Sequence, residues 1–133
     1  MRSKTYLFTV TALVEVVAGL ALLAVPSVVI SLLFGVGQAS PEALAIGRLG
    51  GAGLLAIGVA CWIAHRDTGS PSRRALVFGA LVYNVGAVAV LAYAGSILAM
   101  AGVLLWPAVV LHAGLTAWCL VWLAQRTGAS GDA

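Results

Sequence analysis

YLFTVTALVEVVAGLALLAV, residues 6–25, runs for twenty residues with a single charged side chain, Glu15. At about 1.5 Å of rise per residue, a helix of this length covers the roughly 30 Å hydrocarbon layer of a bilayer. The basic start, Met-Arg-Ser-Lys, invites comparison with a cleaved leader. The apolar run is too long for one, Glu15 interrupts it and no small-x-small cleavage site follows, so the segment reads as a retained spanning helix.

Three more stretches of the same kind follow, at 43–64, 75–94 and 103–124. The sequence therefore predicts an all-α fold, one transmembrane domain over 1–133 built as a four-helix bundle. Composition agrees, because 62% of the residues are hydrophobic and 8% charged, against about 25% charged in soluble domains. PSVVISLLF (26–34) is apolar but too short to cross, and Pro26 stops or bends what precedes it. It either extends a kinked first helix or lies along the outer interface. GVGQASPE (35–42), HRDTGSPSRR (65–74) and residues 95–102 are the predicted connections, and TGASGDA (127–133) is expected to be a disordered tail. In the second span Gly47, Gly51 and Gly58 share one stripe and Ala52, Ala56 and Ala60 a neighbouring one. Small residues at such spacing let helix backbones approach closely.

The net charge of +3 does not point to nucleic acid, because the bases sit at segment ends and form no stripe interleaved with aromatics. Arg2, Lys4, Arg66, Arg73, Arg74 and Arg126 fall on the N-terminal side, the 65–74 loop and the C-terminal end, while 35–42 and 95–102 hold no base. The positive-inside bias then puts both termini in the cytoplasm and the chain, multi-pass, in the inner (plasma) membrane.

Ionisable groups at membrane depth are expensive and usually face the bundle interior. Glu15, Arg48, Asn84 and His112 qualify. Glu15 and Asn84 each lie nine residues into a span, roughly 13 Å from the cytoplasmic boundary, and His112 lies roughly 18 Å from it. These three can share one layer. Arg48 is near the outer end of its span and can snorkel, pair with Glu42 or reach Glu15. Trp106, beside Pro107, is added to the candidate site because a proline there breaks a backbone hydrogen bond and opens a small cavity above His112. The remaining aromatics, Trp62, Tyr83, Trp118 and Trp122, read as interfacial belts.

Cys61 and Cys119 form no C-x-x-C pair and read as small hydrophobes. His65 lies too far below His112 for one haem iron to take both. Glu15 and His112 alone supply fewer ligands than a protein-built metal site needs. No phosphate loop, nucleophile elbow or HExxH occurs, so no catalytic residue, metal site or cofactor is expected.

Glu15, Gly19 and Pro26, followed by RLGG (48–51), GVACW (58–62) and WPAVVLH (106–112), resemble small four-helix bacterial membrane proteins of the DoxX-like kind. That resemblance covers most of the chain and implies the bundle but no particular activity. YLFTVTALVEV (6–16) resembles the first helix of the small multidrug resistance family, which implies that Glu15 stands in the place of a proton- and drug-binding carboxylate. The aromatic-rich motif of that family's third helix is missing here. The leading expectation is a non-enzymatic membrane protein. It binds a small hydrophobic molecule or lipid within the bundle, or serves as an accessory subunit of a larger membrane complex. Glu15, Arg48, Asn84, His112 and Trp106 would line its pocket. The alternative is a proton-coupled small-molecule transporter using Glu15, assembled as a homo-oligomer.

Overall fold

The computed structural model describes residues 2–65 and 72–127, with side chains from 6 to 65 and from 72 to 125. Residues 66–71 of the basic loop, the 128–133 tail, and the side chains of Arg2, Lys4 and Arg126 lie outside the described residues. The described residues form five helices and no strand: α1 (Arg2–Ala24), α2 (Pro26–Phe34), α3 (Pro41–Ala64), α4 (Ser72–Ser96) and α5 (Leu105–Thr127). Four of them, over Tyr6–Ala24, Pro41–Ala64, Ser72–Ser96 and Leu105–Gln125, are long and apolar enough to cross a membrane. This is the architecture of a multi-pass membrane protein.

Local chemistry sets the helix ends. Val25 leaves helical geometry at φ −133°, ψ 56°, and Pro26 begins α2 at a position where its missing N–H has no helical partner to lose. Residues 26–34 are thus a separate short helix. It closes on Gly35, whose φ of +71° is the left-handed conformation that favours glycine. α3 starts two residues before the expected 43 because Ser40-Pro41-Glu42 is a complete start signal. The Ser40 hydroxyl accepts the Ala43 N–H at 3.2 Å, Pro41 opens the helix and Glu42 lies in its first turn. α4 runs beyond 75–94 at both ends, and α5 begins at 105, with Val103 and Leu104 in the preceding turn.

The long helices alternate in direction and associate as two pairs, α1 with α3 and α4 with α5. The first pair is held by backbone proximity. A Cβ on Gly19 would lie 2.7 Å from the Gly51 carbonyl oxygen, and one on Gly58 would lie 2.9 Å from the Val16 nitrogen. The expected glycine stripe of the second span therefore faces α1, with its first member, Gly47, against Pro26 and Ile30 of α2. Between the pairs the helices are spaced by larger side chains. Leu7, Phe8, Ala12, Cys61, Val77, Ala80, Cys119 and Trp122 build this core at the end of the bundle bearing the 66–71 loop.

Candidate functional site

α1 buries one continuous face, Leu7, Phe8, Thr11, Ala12, Glu15 and Gly19, repeating every three to four residues. Glu15 stands on that face and is 1% exposed. Neither carboxyl oxygen has a hydrogen-bond partner among the described residues. The carboxyl is within electrostatic reach of Cys61 on α3 and Tyr83 on α4, and Cys119 on α5 lies within reach of Cys61. Both cysteines are buried free thiols.

Across from Glu15, α4 and α5 contribute a connected pair. Asn84, 0% exposed, donates its Nδ2 to the Ala80 carbonyl one turn earlier at 2.8 Å. Its Oδ1 faces the His112 Nδ1, also at 2.8 Å. The Tyr83 ring meets the half-buried His112 imidazole edge-on, with centroids 5.7 Å apart. Thr116 donates its hydroxyl to the His112 carbonyl at 2.9 Å. Glu15 of α1, Tyr83 and Asn84 of α4 and His112 of α5 thus form a polar chain through the bundle, with Cys61 of α3 beside its Glu15 end.

The loop-side end of this layer is closed by an aromatic and cationic cluster. Phe8 and Trp122 meet edge to face at 6.0 Å, and the buried Arg73 guanidinium lies 4.5 Å over the Phe8 ring. Such stacking lets a guanidinium sit against apolar surface.

Of the five residues singled out from sequence, the structure joins Asn84 to His112 by a hydrogen bond, while Glu15 is linked to them only through Tyr83. Arg48 is exposed and forms no ion pair with a described residue, so it joins neither Glu15 nor Glu42. Trp106 is half exposed and packs beside Gly95 at the start of α5. Pro107 breaks no backbone hydrogen bond of α5. It lies in the first turn of α5, where its position lacks an intrahelical partner in any residue type. Trp122 is a correction of another kind, being 2% exposed in the core where an interfacial position was expected. Tyr83, also assigned to a belt, belongs to the polar layer. The signal that could have found it is its place in mid-span next to Asn84, far from either helix end.

Two open hollows lie away from this layer. One, of about 310 Å³, is bordered by Ser27, Val28, Ser31, Leu32 and Gly37. The other, of about 490 Å³, is bordered by Leu23, Ala52, Leu55, Ala56, Val59, Ala60 and Ile63. Nor does any group of three or more His, Cys, Asp or Glu side chains among the described residues have an arrangement fit to hold a metal ion. No protein-family model, no curated protein and no solved structure matches this chain.

Proposed function

We propose that this chain is a non-enzymatic transporter of the inner membrane, with both termini cytoplasmic, that couples proton binding at Glu15 to passage of a small cationic or amphipathic compound. The observation that carries this reading is the enclosure of Glu15 without a partner. A carboxyl serving only to tie helices would be hydrogen-bonded, since an unsatisfied buried polar group costs about 1–3 kcal/mol. At 1% exposure the carboxyl is closed off in this conformation, and a proton is the occupant that it can accept without the bundle moving. A larger compound requires the two helix pairs to part. The seam between them, spaced by side chains while α1 and α3 touch through backbone, is the natural plane for that movement. The likeness of residues 6–16 to the first helix of small multidrug resistance proteins points the same way.

The test is proton-driven uptake into proteoliposomes of a panel of amphipathic cations. Glu15→Gln should abolish uptake and leave the folded protein intact, and unchanged uptake by that variant would remove the proposal. Native mass spectrometry of the same preparation reports whether the working unit is a homo-oligomer or awaits a larger partner.

A second reading, binding of a small hydrophobic molecule or lipid, draws on the apolar 490 Å³ hollow between the end of α1 and the alanine face of α3. It predicts a co-purifying lipid or apolar compound in stoichiometric amount, displaced by Ala56→Trp and unaffected by Glu15→Gln.

A further inference from the structure

The amide of Asn84 has only one orientation that satisfies both ends. Its Nδ2 is committed to the Ala80 carbonyl, which can only accept, so Oδ1 is the atom turned to His112. A carbonyl oxygen donates nothing, so the hydrogen between them belongs to His112 Nδ1. In a neutral imidazole this leaves the lone pair on Nε2. That nitrogen makes no hydrogen bond to any described residue. Two acceptors therefore stand unfilled on either side of Tyr83, the buried Glu15 carboxyl and the Nε2 of the half-buried His112, with the Tyr83 side chain touching the imidazole and within reach of the carboxyl.

We infer that His112 Nε2 is the second proton acceptor of the Glu15 layer, and that Asn84 is the positioning residue that imposes the Nδ1–H form. The inference rests on the proton-coupled reading of Glu15 for its purpose, though not for its geometry. When a proton arrives, Nε2–H forms, the ring becomes an imidazolium, and the Asn84 Oδ1 continues to accept from Nδ1–H without any side chain turning over. No bond other than N–H is made or broken. The groups shown against the ring are both from α4, the Tyr83 ring edge-on and the Asn84 amide at Nδ1. Among the described residues, Arg48 is exposed and Arg73 lies at the far end with Phe8, so neither cation stands beside the ring.

The experiment is nitrogen NMR of the full chain in lipid bilayers with labelled histidine, in a His65→Gln background that leaves His112 as the single histidine. The expected spectrum at alkaline pH shows Nδ1 protonated and Nε2 bare, with Nε2 gaining a proton as the pH is lowered. Asn84→Ala should shift the balance of tautomers roughly fivefold toward Nε2–H, as loss of one hydrogen bond implies. Asn84→Asp, which keeps an acceptor oxygen, should restore Nδ1–H. Nε2–H as the main form in the parent, or an Nε2 that stays bare on acidification while the protein remains folded, overturns the inference even if Asn84→Ala does not fold. An Nδ1–H form that titrates as expected, together with uptake that survives Glu15→Gln, keeps the His112 assignment and removes the transport reading.

Discussion

Glu15 is surrounded by Thr11, thiols, an aromatic phenol and apolar groups, and none of them gives its oxygens a hydrogen bond. This arrangement makes stability and function pull in opposite directions at one residue. Replacing an unpartnered buried polar group with an apolar one of similar length removes a desolvation cost and leaves packing intact. Glu15→Met should therefore raise the resistance of the purified protein to thermal or denaturant unfolding, by on the order of 1–3 kcal/mol, while ending proton-driven uptake. A variant that unfolds instead would show that the carboxyl holds the bundle together through a partner absent from this conformation. Asn84 should behave differently, because Ala80 and His112 both depend on it. Asn84→Leu leaves the buried Nδ1–H of His112 without an acceptor and should cost stability of the same order that Glu15→Met gains.

At the scale of helices, the α1–α3 contact turns on where a Cβ would go. On Gly19 it would meet backbone of α3 at 2.7 Å, and on Gly51 it would meet Gly19 and Leu22 at 2.8 Å, whereas on Gly86 it would meet nothing. Gly19→Ala should force the pair apart and cost about 1–3 kcal/mol, the usual range for overpacking. Gly86→Ala should be neutral or stabilising by about 0.5–1 kcal/mol, because only helix propensity changes. Parallel melting curves decide the matter, and equal losses at both positions would refute close backbone packing as the cause. Gly102 offers a sharper case. Its Cβ would fall on the Leu33 backbone of α2, beside the 2.9 Å hydrogen bond from the Leu104 N–H to the Leu32 carbonyl. Gly102→Ala should detach α2 from the α4–α5 connection, read as faster amide exchange at Leu104 with little change in the α1–α3 core.

These elements also explain what the sequence disclosed. The four spans were legible because each is an uninterrupted apolar run of bilayer length, and the glycine stripe because Gly47, Gly51 and Gly58 repeat at helical spacing. Glu15, Asn84 and His112 stood out by cost, as polar groups at depth. Arg48 stood out by the same argument yet faces outward, since a position near a span end can snorkel from any face. Tyr83 and Trp122 could not be placed, because an aromatic ring is equally at home in a belt or a core, and only the tertiary packing chooses.

For the whole molecule, the orientation in the bilayer follows from charge and can be tested without knowing any ligand. Four crossings return the chain to the side on which it began, so the ends before α1 and after α5 share a face. The connection between α2 and α3 and the one between α4 and α5 share the other. All six bases at segment ends other than Arg48 fall on the first face by sequence, and the 35–42 and 95–102 segments hold none. Translocating such a cluster is unfavourable, and on that ground we propose that this face is the cytoplasmic one. Single cysteines at Gln38 and Leu98, both exposed, should then react with a membrane-impermeant maleimide on intact cells. One at the exposed Ser72 should react only after the membrane is opened. The native Cys61 and Cys119 are buried and add little background. The opposite labelling pattern would invert the bundle and place the Phe8, Arg73 and Trp122 cluster on the outer side. The cluster would then stand between Glu15 and the outside, where the proposed orientation puts it between Glu15 and the cytoplasm.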